Sequence, residues 1–170
     1  DTQTKTDNHS SDKSETDTPY PAFVDLPFNH PLYIRYSSGT TGTPKCIIHS
    51  AGGTLIQHVK ELSLHVDLQA QQTHFFYSTC GWMMWNWLVS SLALGATIIT
   101  YDGSPFFPKA NRLMNIADEH NVAVFGAGAK YYAELEKQGE KPSDQLDFKH
   151  LHTVLSTGSP LNPSSFDFIY

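Results

Sequence analysis

From Leu68 to Tyr101 the chain carries no Asp, Glu, Lys or Arg. A charge-free run of that length must be buried, either in protein or in lipid. Within it, Gly81 to Thr100 is long enough to span a bilayer. Asn86, Ser90, Ser91 and Gly95 interrupt the segment, however, and no basic residues flank it. Gly95 sits where a glycine closes a helix, and a β-branched run follows it. The spacing predicts a buried helix over 82–94 and a buried strand over 96–101. Asn86 and Ser90, at i and i+4, form the helix's narrow polar stripe. A membrane module stands as the alternative reading.

The alternation continues along the chain. Strands are expected near 32–36, 46–49, 73–77, 96–101, 121–125 and 151–156. Helices are expected near 52–65, 82–94, 109–120, 129–138 and from 163 onward, where Asn162-Pro163 reads as an N-cap followed by proline at the first helical position. The runs Ala96–Ile99 and Val122–Phe125 suit strands covered on both faces. Together these predict an α/β fold with a mainly parallel sheet and flanking helices.

Residues 1–18 contain no hydrophobic residue and are expected to form a disordered polar linker, leaving 19–170 as one partial domain. Only 16% of the residues are charged, which suggests a piece of a larger body, and the late helix start at 163 suggests a fragment cut at its C-terminal side. The net charge is −6 and no Lys/Arg cluster occurs, so no nucleic-acid partner is expected. Cys46 and Cys80 make neither a metal spacing nor a disulfide framework, which favours a reducing compartment. His49, His58, His65 and His74 are dispersed and make no metal motif. His58 and His65 read as surface or boundary positions of one amphipathic helix.

Between the first two strands lies Ser37-Ser38-Gly39-Thr40-Thr41-Gly42-Thr43-Pro44-Lys45. Glycines that free the backbone, hydroxyl donors and one lysine are what an anion nest needs. A solvated hairpin loop uses the same residue types. A Walker loop is excluded, because Pro44 precedes Lys45 and Cys46 follows it.

The order of residues from Ile34 to Lys45 resembles the phosphate-binding signature of the adenylate-forming enzymes, which include the acyl-CoA synthetases. Ser78–Trp87, with its Gly81-Trp82 pair, resembles their acyl-pocket segment. Leu155–Leu161, with Gly158-Ser159-Pro160, resembles the segment that packs on adenine. Met83-Met84-Trp85 and Gly158-Ser159-Pro160 depart from the acetate enzymes towards the acetoacetate-activating branch of the family, as do His49–Gly53 and Tyr101–Pro105.

The resemblance implies part of the N-terminal large domain of that fold, in a cytosolic ligase that joins acetoacetate to coenzyme A through an acyl-adenylate. Its substrates are ATP, acetoacetate and coenzyme A, with Mg²⁺ as the ion. Another short acid (acetate, propionate or butyrate) is the alternative substrate, and a nucleotide-binding module is the non-enzymatic one. Ser37, Ser38, Gly39, Thr40, Thr41, Gly42, Thr43 and Lys45 are implied to hold ATP phosphates. Gly158, Ser159 and Pro160 are implied to contact adenine. Trp82 is expected as an acyl-pocket wall, with Met83 and Met84 either beside it or filling core gaps; Trp85 and Trp87 are expected in the core. Gly126 and Ala127 are a candidate acyl or coenzyme A channel. The family's catalytic lysine and its Mg²⁺-linked acid match nothing in these residues, so the chain by itself is expected not to form acyl-adenylate.

Overall fold

Strand β5, Val122–Gly128, is built from Val-Ala-Val-Phe-Gly-Ala-Gly, and its first six residues are all buried. A strand covered on both faces must lie inside a sheet with helices on either side. The computed structural model describes residues 22–37 and 42–170, and in it β5 is such a strand. The expected linker over 1–18 and loop residues Ser38, Gly39, Thr40 and Thr41 lie outside the described residues.

Two sheets form. The first is an antiparallel pair, β1 (Pro31–Ser37) and β2 (Lys45–Ser50). Helix α1 follows directly (Ala51–Lys60) and widens into one looser turn, Glu61–His65. The second sheet is parallel and has four strands, β3 (Thr73–Phe76), β4 (Thr97–Ile99), β5 and β6 (Thr153–Thr157), in the order β4-β3-β5-β6. Its connections are α2 (Met83–Ser90, with a tighter turn over Ser91–Leu94), α3 (Arg112–Glu119) and α4 (Ala129–Lys137). Helix α5 (Pro163–Ile169) starts where the Asn162-Pro163 pair predicts.

Strand alternation divides the core. Phe75 and Phe125 turn to the face covered by α3 and α4, where they meet Leu113, Ile116, Tyr131, Tyr132 and Leu135. Phe76 and Val124 turn to the other face and meet Leu62, Trp87 and Leu88. The charge-free segment thus supplies Phe75, Phe76, Trp87, Leu88 and Ala96 to the core, and no helix among the described residues is long and apolar enough to cross a membrane. Gly95 closes the α2 extension at φ +73°, a conformation that favours glycine.

The polar stripe has partners. Ser90 donates to the Asn86 carbonyl (3.0 Å) and lies 2.8 Å from His58 Nδ1. With its own proton committed, Ser90 Oγ accepts from Nδ1–H, which leaves His58 Nε2 with its lone pair. This narrows the surface-or-boundary reading of His58 to a boundary position: the stripe on α2 meets α1 there and covers most of the ring. Burial holds its pKa below the usual value, partly offset by Glu61.

His74 on β3 is fully buried, 2.8 Å from Ser91 Oγ and edge-on to Trp87. Burial lowers its pKa to about 4. In the unfolded chain the group titrates near 6.5, so between those values the unfolded state binds the extra proton. Stability is then level above about pH 6.5 and falls as pH drops towards 4. We expect a loss of about 2 kcal/mol between pH 7 and pH 5, attributable to this ring. Urea midpoints at both pH values for wild type and His74→Gln measure it. An equal pH dependence in the two proteins would remove His74 as the cause.

Candidate active site at the carboxyl ends of the strands

In an open parallel sheet the crevice beyond the strand carboxyl ends is where ligands bind. A cavity of about 440 Å³ lies there. Phe76 and Tyr77 approach it from the end of β3, Gly128 from β5, and Thr157, Gly158 and Ser159 from β6. Trp82 and Met84 enter from the start of α2, and Ala129 and Lys130 from the first turn of α4. Three segments far apart in sequence thus share one space: Trp82 of the Gly81-Trp82 pair, the Gly158-Ser159 turn and the end of β5.

Local geometry explains several of these positions. Trp82 precedes α2 in an extended conformation, φ −101° and ψ 151°, and the residue is 66% exposed. Gly158 has φ +86° with open space where a Cβ would stand; this lets the chain turn away after β6 without closing the cavity. Pro160 is exposed, just beyond the lining residues. Tyr77 donates to the Gly103 carbonyl (3.1 Å), and burial, with smaller contributions from Tyr101 and Asp102, raises its pKa and keeps the phenol protonated. Tyr132 donates to the Leu155 carbonyl (2.8 Å) and ties α4 to β6.

Two sequence expectations change. Met83 and Met84 are adjacent on a helix, so their side chains diverge by about 100°. Met84 lines the cavity with Trp82, whereas Met83 lines a separate space of about 530 Å³ between the hairpin, α1 and α2. Gly126 and Ala127 do not line this cavity. A Cβ on Gly126 would overlap the Phe76 ring, and Ala127 is 0% exposed. The close approach that Gly126 permits is therefore to a neighbouring strand's side chain, and the cavity begins two residues later at Gly128. Of the other tryptophans, Trp87 is in the core, while Trp85 lines a third space beside Tyr101 and Asp102.

The hairpin brings the ends of the phosphate-loop motif together. Ser37 ends β1 directly opposite Lys45, which starts β2. Gly42 lies between them at φ +112°, beside the exposed Thr43. Lys45 is exposed and makes no ion pair among the described residues. Arg35 on β1 donates to the Gly81 carbonyl at 3.4 Å, tethering the hairpin to the segment that carries Trp82.

The profile of the AMP-binding enzyme family matches residues 1–170. The chain belongs to this family. Among relatives of this AMP-binding chain, acetoacetyl-CoA synthetase of Danio rerio is 55% identical over 87% of the chain. Malonamoyl-CoA synthetase of Penicillium aethiopicum is 48% identical over 87%. The solved acetoacetyl-CoA synthetase of Streptomyces lividans superposes with a TM-score of 0.80 at 45% identity, over 88% of the chain. The chain spans only 22% of the Danio protein's length and 23% of the Streptomyces chain.

Reading the sequence did not single out Lys130 or Tyr77 as lining residues. A signal existed for Lys130. A cation in a helix's first turn opposes the helix dipole, so its presence in α4 calls for a reason other than helix stability.

Proposed function

We propose that this chain supplies the phosphate-holding hairpin and the acyl and adenine walls of a cytosolic, AMP-forming acetoacetate–coenzyme A ligase. The observation that carries the reading is the shared cavity: Trp82 and Met84 meet Gly158 and Ser159 at the carboxyl ends of the parallel strands, with the hairpin tethered to the same segment by Arg35. The 55% identity to an acetoacetyl-CoA synthetase supports the choice of acid.

In this reading the acid's carboxylate oxygen attacks the α-phosphorus of ATP, and the bond to the bridging oxygen breaks to release pyrophosphate. Negative charge grows on the leaving phosphates, so donors fixed beforehand at that end lower the barrier. Ser37, Thr43 and the Gly42 backbone, with Ser38 to Thr41, are assigned as those donors, and Lys45 as the cation. Trp82 shortens the acyl space and Met84 fills its side. Gly158, Ser159 and Pro160 border the adenine. The coenzyme A thiol then displaces AMP from the acyl carbon.

Mg²⁺, when bound, supplies charge neutralisation on the phosphates. Among the described residues no three His, Cys, Asp or Glu side chains converge, so these residues offer the ion no protein cage. Ser37 and Thr43 hydroxyls fit it only as accessory oxygen donors beside phosphate.

Acid-dependent exchange of labelled pyrophosphate into ATP tests the assignment in the full-length protein that carries this chain. Acetoacetate is expected to support exchange at a kcat/KM at least about tenfold above acetate, propionate or butyrate. Preference for acetate would overturn the choice of substrate. Absence of exchange with every acid, in a folded protein, would overturn the ligase reading.

A further inference from the structure

We infer that Lys130 recognises the carbonyl oxygen on the β-carbon of the acid, so that it selects β-oxo acids over saturated acids of the same length. This inference rests on the proposed ligase function.

Acetoacetate and malonamate, the acids named by the acetoacetyl-CoA and malonamoyl-CoA synthetases above, share one feature beyond the carboxylate. Each carries a carbonyl on the β-carbon, bearing a methyl group in one and an amide nitrogen of similar size in the other. Butyrate has the same carbon skeleton as acetoacetate and lacks only that oxygen. Trp82, Met84 and Phe76 give the cavity apolar walls that set length without reading an oxygen.

Several polar groups around the cavity are already engaged. The Tyr77 hydroxyl donates to the Gly103 carbonyl, and the Ser78 hydroxyl to the Thr79 carbonyl. Lys130 is the charged side chain among the lining residues, and it makes no ion pair or side-chain hydrogen bond among the described residues. It stands beside Ala129 and Gly128, where β5 opens into the cavity. Its place in the first turn of α4 gains nothing from the helix dipole. An ammonium at this position suits a charge-assisted hydrogen bond to a neutral carbonyl oxygen. Lys45, on the hairpin, remains the cation for the phosphates.

The test uses the full-length protein and pyrophosphate exchange with acetoacetate and butyrate side by side. Lys130→Met keeps an unbranched, flexible side chain one atom shorter and removes the charge. Its kcat/KM for acetoacetate is expected to fall about tenfold to a hundredfold, with butyrate unchanged or improved. Lys130→Arg is expected to retain a measurable acetoacetate preference. Since Lys130 is exposed, both variants should keep the wild-type thermal midpoint. Equal losses on both acids would assign Lys130 to the carboxylate or to general positioning and overturn the inference, as would an undiminished acetoacetate preference in Lys130→Met. A wild-type protein without acetoacetate preference would instead overturn the substrate assignment beneath it.

Discussion

Replacing Lys45 with alanine is expected to lower acid-dependent pyrophosphate exchange by about two to three orders of magnitude in the full-length protein, the scale seen when one preorganised group is withdrawn from a developing charge. The effect should lie chiefly in kcat, because the phosphates gain charge as the leaving bond breaks. Lys45 begins β2 opposite Ser37, so its backbone is held by the hairpin while its side chain is exposed. No described contact depends on that side chain, and the variant should unfold at the same urea midpoint as wild type. Lys45→Arg keeps the charge in a larger head and should recover part of the rate. Full activity in Lys45→Ala would return the loop to an ordinary solvated turn.

Phe125→Ala is expected to destabilise the fold by about 3–5 kcal/mol, measured by urea unfolding. Phe125 is 0% exposed at the centre of β5. Its ring meets Phe75 at 5.5 Å and Tyr132 at 6.3 Å, both edge-on, and Tyr131 at 6.1 Å. The flanking strands and α4 all pack on it, so little can collapse into the space left by truncation. Phe125→Leu refills most of that volume and should cost less. A loss under about 1 kcal/mol for the alanine variant would mean that α4 is not anchored through this ring. The same anchor positions Gly128 and Lys130, so Phe125→Ala should also blunt the discrimination between acetoacetate and butyrate at temperatures where the protein remains folded.

Much of the fold is legible in local sequence. Val122-Ala123-Val124-Phe125 reads as a buried strand because β-branched and aromatic residues follow one another without polar alternation, and β5 begins there. Gly95 marks the end of the α2 extension, since a left-handed residue is needed to turn the chain. Asn162-Pro163 marks the start of α5, although the Asn162 side chain makes no capping bond. The Trp82 and Gly158-Ser159 positions are legible as motifs, and they share one cavity.

Other positions are not legible this way. Gly126 and Ala127 read as a candidate channel, yet Phe76 from β3 covers Gly126 while Gly128 reaches the cavity. His58 has the surroundings of a surface helix residue, and only the approach of Ser90 from α2 buries it.

The sequence by itself determined the order of strands and helices, the ends marked by Gly95 and Pro163, and the motif order that marks the AMP-binding family. Each of these depends on residues within a few positions of one another, through periodicity, backbone freedom or a contiguous pattern. Tertiary structure alone decided that the hairpin forms its own two-stranded sheet, that Met84 and not Met83 joins Trp82, and that Lys130 stands in the cavity. Those outcomes depend on the rotational phase of helices and on strand pairings between residues distant in sequence, where packing selects the side chain that faces the site.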